Sequence, residues 1–541
     1  MCAVFLSPGV YVQERDLSDI VPRVASASGA LVGYSAKGST TDVVLITSDQ
    51  QFIEEYGEPD PSSGHYFHYA ALGYLSKGNT LYCLRVANGA LWGGVNIVAT
   101  TSSLENAALT AGKSTAVFTS DSEQSSDVLF QIIGANPGVW NDRIGVVIEN
   151  VKTGSDEVVV DQYTFEIVVY WQDADGAHQE VERWKVSRKA KVDGFGKALY
   201  LEDKINGVSK YIMVLDNTGL ADTVLPKVQE TRLGLDSGSD GSAPSDAAFI
   251  AGWDEFSNPD DIDVRILING GETGVTVQQK MRSVAEARMD CIAVLDFPWG
   301  SVQGVTDMVA YRNVTLNLNS SYCALYGPWI QIYDTYNDNL IYIPPSGHVA
   351  AQMAYNDNVA DPWDAPAGLN RGQLDVITPN YVFTKGERNV LYPQQINPIQ
   401  LFRGEGIVIW GQKTLQKKSS ALSSVNVRRL LIVLQKAMAI SLRTFVFEPN
   451  DEVTRFRVTA LLNEYLDKLA AQGAFQQEGG DRGYHVVCNA TNNTPAVIDD
   501  NQLNVDVFLK PIRAAEYIKL QTIITTTGAS FEELIARGAM F

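Results

Sequence analysis

Apolar and polar side chains alternate at a period of two in SPGVYVQE (7–14), where Val10 and Val12 fall on one side and Tyr11 and Gln13 on the other. Pro8 and Pro22 disfavour helix, so residues 1–28 read as an extended arm whose strand has no hairpin partner nearby. Residues 31–34 and 80–86 read as strands. Between them, 64–77 reads as a helix, with Phe67, Ala71, Leu72 and Leu75 repeating at three and four. From 91 to 232 the texture becomes β-rich. Strands are expected at 127–133, 144–150, 163–171 and 180–186, with turns at Asn136-Pro137-Gly138 and Asp175-Gly176. A Gly/Ser/Asp stretch over 234–246 reads as a linker. Strand–helix alternation then resumes, with strands at 264–268, 291–297 and 322–332 and helices at 275–289 and 305–313. That spacing predicts a parallel sheet, and hence one α/β domain split by a β insertion.

The final third opens with an amphipathic helix over 425–445. Val427, Leu431, Leu434, Met438, Leu442 and Phe445 lie on one face, and Arg428, Arg429, Gln435, Lys436 and Arg443 mostly on the other. Asn450 reads as the N-cap of a second helix, with Asp451 and Glu452 suiting its positive end and Gly473 ending it. Residues 504–509 alternate, 519–527 are rich in β-branched side chains, and 530–536 read as a short helix.

With 541 residues, 45% of them apolar and 19% charged, the chain is long enough for several cores and ordinary in its globular composition. Lys plus Arg number 42 against 63 Asp plus Glu, a net charge of −21, which argues against a sequence-tolerant grip on nucleic acid. Cys2, Cys83, Cys291, Cys323 and Cys488 lie far apart and read as buried free thiols rather than a zinc site or disulfide framework. Pro8, Glu14, Arg15 and Asp16 interrupt any signal-like apolar run, and no uncharged apolar stretch reaches the ~18–20 residues of a membrane span, so a soluble protein made inside a cell is expected.

Searches for chemistry return decoys. AALTAGKS (107–114) loosely fits a phosphate-binding loop, but polar residues precede it and β-like residues follow, so a surface turn is expected. His65 and His68 could share a helix face, yet no carboxylate sits in a metal-ligand spacing with them. There is no GxSxG elbow, and His178, His348 and His485 have no triad context. Asp260-Asp261 and Asp499-Asp500 read as solvated surface, and GYSAKG (33–38) as a turn after a strand. No catalytic, cofactor or metal residue is assigned.

The later motifs are more specific. YIPPSGH (342–348), APAGLNRGQ (365–373), VIWGQKT (408–414), NVRRL (426–430), FEPND (447–451), VVCNATNNTPAVIDDNQ (486–502) and TGASFEEL (527–534) follow SPGVYVQE and LVGYSAKG in order. This series closely resembles the contractile tail sheath proteins of T-even-like myophages. It covers the first 90 residues and the region beyond about 260; residues 91–232 carry no matching motif.

The resemblance implies a non-enzymatic virion structural protein, a late protein assembled in the host cytoplasm. It implies hexameric rings of this chain, stacked in a helical array around a tail tube protein. Baseplate and tail terminator proteins would be further partners, without nucleic acid, cofactor or membrane insertion. Contraction would drive the tube through the host envelope for genome ejection.

The expected fold class is α/β in an α+β multidomain chain. The divisions are an N-terminal arm (1–28) packing with the C-terminal domain, a split α/β domain (29–90 plus 233–345), an outward-facing β insertion (91–232), a C-terminal sheath domain (346–510) and a C-terminal arm (511–541). The terminal arms would link neighbours through shared sheets. The inter-subunit candidates are Val10, Tyr11, Val12, Gln13, Glu14, Ile523, Ile524, Thr525 and Thr526, with joints at 26–29 and at Pro511. Pairing of the two arms inside one subunit is the other arrangement these strands allow.

Lys413, Lys417, Lys418, Arg428 and Arg429 cluster in an acidic chain, either as a contact to the tube or a neighbour or as a solvated helix face. A bacterial injection-system sheath and an α/β enzyme with extended termini stand as the alternative functions.

Overall fold

The structure, a computed structural model, describes residues 27–98, 128–153, 162–173, 175–229, 231–300 and 304–517. The body begins with β1 (Gly29–Tyr34), β2 (Val44–Ile46), α1 (Asp49–Tyr56), α2 (Phe67–Leu75) and β3 (Leu81–Val86). The insertion follows: β4 (Gly94–Val98), β5 (Val128–Gly134), β6 (Ile144–Glu149), β7 (Phe165–Gln172), β8 (His178–Val186), α3 (Leu201–Ile205), β9 (Ile212–Asp216) and β10 (Leu233–Gly234). The body resumes with α4 (Asp246–Asp254), β11 (Ile266–Ile268), α5 (Val275–Arg288), β12 (Ile292–Leu295), α6 (Val305–Ala310) and β13 (Cys323–Gly327). It continues through β14 (Ile330–Asp334), β15 (Asn339–Ile343), α7 (Ser346–Val359), β16 (Gln373–Leu374), β17 (Thr378–Pro379), α8 (Lys385–Leu391), β18 (Ile396–Phe402) and β19 (Gly406–Ile409). A C-terminal lobe holds α9 (Val425–Leu442), α10 (Glu452–Ala471), β20 (Tyr484–Val487), α11 (Pro495–Asp499) and β21 (Asp506–Leu509).

One nine-stranded sheet organises the body, in the order β16-β19-β18-β13-β12-β11-β1-β3-β2. The inner strands from β18 to β3 run parallel, as strand–helix alternation predicts, and the edges are antiparallel. Side chains alternate between two cores. Leu31, Ile266, Ile268, Ile292 and Val294 join a core with α2 and α7, while Ala30, Val32, Leu267, Ala293 and Leu295 join one with α4 and α5. Burial on both faces explains why these strands read as nearly continuous apolar runs.

Three expectations change. The single strand expected over 322–332 is β13 and β14, because Pro328 cannot donate to a ladder; β14 joins a separate small sheet with β15 and β17. A boundary at 345/346 would cut the large sheet, since β18 pairs with β13 and α7 packs on the same core. The helix expected to start at Asn450 starts one residue later: the Asp451 carboxylate accepts from the Thr454 N–H at 2.7 Å, while Asn450 donates to the Gln502 carbonyl at 2.7 Å. Gly473 follows α10 at φ +86, a left-handed position that a glycine adopts without penalty.

The insertion is two packed sheets, β10-β6-β7-β8 and β4-β5-β9, with Phe130 stacked on Phe165 at 5.5 Å between ring centroids. The stretch expected as a linker is held in place: Leu91 pairs with Ser239 and Gly94 with Asp236. Buried Arg85 joins insertion and body. Its Nε donates to the Ser35 carbonyl at 2.6 Å, and its Nη1 to those of Gly38 at 2.9 Å and Pro137 at 2.6 Å.

Candidate functional site

In doubly wound sheets, ligands sit outside the carboxyl ends of the strands, where the strand order reverses. Here that point lies between β1 and β11. It is filled by the chain's own groups. Asp296, fully buried after β12, accepts the Ser346 N–H at 2.9 Å and the Gly271 N–H at 3.1 Å. Burial pushes its carboxyl up to about 7, although both hydrogen bonds favour the anion. Gln278 donates to Asn269 at 3.1 Å and to the Asp296 carbonyl at 2.8 Å. His65 meets Glu272 at 2.8 Å instead of sharing a metal with His68. Gln278 and Ser346 thereby tie α5 and α7 to the strand ends of the sheet. The decoy at 107–114 lies outside the described residues.

Cys83, Cys291, Cys323 and Cys488 are buried free thiols, and burial pushes the Cys291 thiol up to about 12. Cys2 lies outside the described residues.

The arm candidates Val10, Tyr11, Val12, Gln13, Glu14, Ile523, Ile524, Thr525 and Thr526 also lie outside them. The anchorage of both arms is described. Tyr74 donates to the Ala27 carbonyl at 2.5 Å, and Gly29 N–H to the Thr80 carbonyl at 2.9 Å, fixing the start of β1. At the other end, Gln476 N–H donates to the Lys510 carbonyl at 2.8 Å and Ile512 N–H to that of Ala474 at 3.1 Å. Pro511, expected as a joint, is therefore held against Phe475.

Between these anchors stands a two-stranded sheet, β20 antiparallel to β21, with Tyr484 opposite Leu509 and Val486 opposite Val507. Those side chains pack on α10, with Leu462 and Leu466 in the same core. The opposite face carries His485 and Phe508, ring centroids 6.4 Å apart, with Phe508 60% exposed. Asn493 holds the connecting loop, donating to the Asn504 carbonyl at 2.9 Å and accepting its N–H at 2.7 Å. Among the described residues each strand pairs only with the other, leaving two outer edges and an outer face on which Phe508 and Val487 stand beside His485 and Asp506. A two-stranded sheet is marginal alone; here α10 supports one face, while the unpaired edges remain templates for further strands.

The structure divides the basic cluster. Lys417 and Lys418 are exposed, with the Lys417 ammonium 2.6 Å from Asn317 Oδ1. Lys413 pairs with Glu516 at 3.0 Å and lies over the Tyr392 ring. Arg428 and Arg429 are buried, which corrects the expectation of a surface face. Arg428 stacks 4.0 Å from the Tyr322 ring and donates to Ser321, and Arg429 donates to Asp357 at 2.5 Å. Only the start of the α9 face expected to be solvated lies against the body, where Asp357 on α7 and an aromatic ring match Arg429 and Arg428; further along, Gln435 and Arg443 are exposed.

The sequence reading also missed an apolar tip between α9 and α10. There Val446, Phe447, Val453 and Phe456 are exposed, and Phe447 has φ +71.

Residues 245–415 match the family model of the phage tail sheath protein central domain, and residues 417–525 that of the phage tail sheath C-terminal domain. The tail sheath protein of Enterobacteria phage T4 is 34% identical over 319 residues, 54% of this chain and 48% of that one. The tail sheath protein of Vibrio phage KVP40 is 32% identical over 361 residues, 61% and 53% of the two chains. This chain thus spans about half the length of these relatives. The crystal structure of a sheath tail protein from Listeria innocua superposes with a TM-score of 0.56 at 11% identity, covering 90% of this chain and 95% of that one.

Proposed function

Because this chain belongs to the phage tail sheath family, we propose that it is a structural subunit of a contractile phage tail. It polymerises as stacked hexameric rings in a helical array around the tail tube, between baseplate and terminator. It contracts once, driving the tube through the host envelope for genome ejection.

The observation that carries this reading is the β20–β21 sheet, open at both edges beside the root of the C-terminal arm. Strands from other copies, drawn from 10–14 and 523–526, complete it by main-chain hydrogen bonds. Such a link lets the subunit bodies turn without parting. The polar network around Asp296 and the buried Arg85 support a body that turns as one piece. Contraction then needs two lattice packings that differ by a few kcal/mol per subunit, with a barrier holding the higher one. No nucleotide is consumed.

Electron microscopy of the purified protein tests this. Long tubes with helical striations are expected, and removing residues 518–541 abolishes them. A monodisperse small oligomer from the full chain would overturn the reading.

A further inference from the structure

Residues 512–517 are exposed, yet the Glu516 side chain is turned inward. The Glu516 carboxylate, with its side chain 19% exposed, lies 3.0 Å from Lys413 Nζ. Gln412 Nε2 donates to it at 3.4 Å, and burial first, then the charge of Glu516, raise the pKa of the Tyr392 phenol beside it. Lys413 also lies 5.1 Å above the Tyr392 ring centroid, so ring and cation together line a small carboxylate socket. The socket belongs to the body. Tyr392 follows α8, and Gln412 and Lys413 follow β19, where the Lys413 N–H donates to Asn397 Oδ1 at 2.6 Å.

We propose that Glu516 is a peg seated in the Tyr392–Gln412–Lys413 socket, and that it fixes where the C-terminal arm leaves its own subunit. The inference rests on the exchanged-arm reading above and adds the arm's point of origin. Pro511 and Ile512 are held by backbone contacts to Phe475 and Ala474, and the peg extends that anchorage to residue 516. The segment left to span to a neighbour then starts at residue 518. Withdrawing the peg frees residues 513–517 and adds about 17 Å of reach at ~3.4 Å per extended residue. The seated peg therefore sets the spacing between neighbours that the arm can bridge, and unseating it permits a wider one. Lys413 is engaged by the arm rather than offered to another protein.

Arg513 lies inside the tethered segment, and cleavage after it needs local release of the backbone around it. The test is digestion of the full-length subunit with an arginine-specific protease, following the Arg513 product by mass spectrometry with cleavage at exposed Arg482 as the internal reference. Glu516→Ala and Lys413→Glu should each speed cleavage after Arg513 about tenfold, and the double reversal Lys413→Glu with Glu516→Lys should return it to the parental rate. Parental rates in both single variants, or no restoration in the double, would overturn the peg. Arm exchange is scored separately: tubes formed by the chain lacking residues 518–541 would count against it and leave the socket untouched.

Discussion

Arg429 on α9 and Asp357 on α7 meet in the interior, Nη2 to Oδ2 at 2.5 Å, with side chains 4% and 1% exposed. The pair binds the C-terminal lobe to the α/β body at a point where neither charge reaches water. Removing one partner strands the other, so Asp357→Ala and Arg429→Met should each destabilise the subunit by about 3–5 kcal/mol. The double variant Asp357→Leu with Arg429→Met should recover most of that loss. Chemical denaturation of the three variants measures it, and single variants as stable as the double would refute the coupling.

Asp296 gives a pH signature. Its folded carboxyl titrates at about 7, against an ordinary value of ~3.9 in the unfolded chain, so between these values the folded state holds the extra proton. Its contribution is full at low pH and is lost as pH rises through 7. His68, pushed down to about 4 by burial, works the other way between 4 and its ordinary value of ~6.5. The informative quantity is therefore the difference from Asp296→Asn. That variant should be less stable at pH 4, and its stability should rise more steeply with pH up to 7, by about one proton's slope. Identical slopes would place the carboxyl in solvent contact.

Phe508 separates folding from assembly. Its ring is mostly exposed in the single subunit, so Phe508→Glu should change subunit stability by no more than about 0.5 kcal/mol. It puts a charge on the outer face of β20–β21, between the two edges where added strands would pair and on the face their side chains would share, and should abolish striated tubes. Tubes of normal length from this variant, seen by electron microscopy, would remove the sheet from the interface.

Of the five clustered cations, Lys417 and Lys418 alone are exposed surface charges. Reversing both to glutamate should leave the melting temperature within a degree or two while weakening co-sedimentation of the protein with the tail tube proposed as its partner. Unchanged decoration would assign these lysines to solvent.

The sheet was legible because its strands are short apolar runs separated by helical repeats. Residues 264–268, 291–297 and the helix at 275–289 all appear within a few positions of where period and turn chemistry put them. The insertion was legible through β-rich segments bounded by turns at Asn136-Pro137-Gly138 and Asp175-Gly176, which became β5 to β8. What failed was burial of charge. Helical periodicity sorts side chains by polarity, and Arg428 and Arg429 were sorted outward because their partners, Tyr322 and Asp357, are distant in sequence. Glu516 was invisible for a related reason: a lone acid in AAEY carries no period, and its socket is assembled from two other loops. Phe447 left no signal either, since a left-handed backbone angle at an aromatic residue follows from the turn it closes and not from the residue itself.

The most direct measurement is cryo-electron microscopy of the assembled polymer at side-chain detail, centred on Tyr484–Val487 and Asp506–Leu509. The account predicts a sheet of four strands there, with the two added strands supplied by residues 10–14 and 523–526 of other subunits. A sheet that stays at two strands in the polymer, or is completed only by the arms of its own chain, would contradict it.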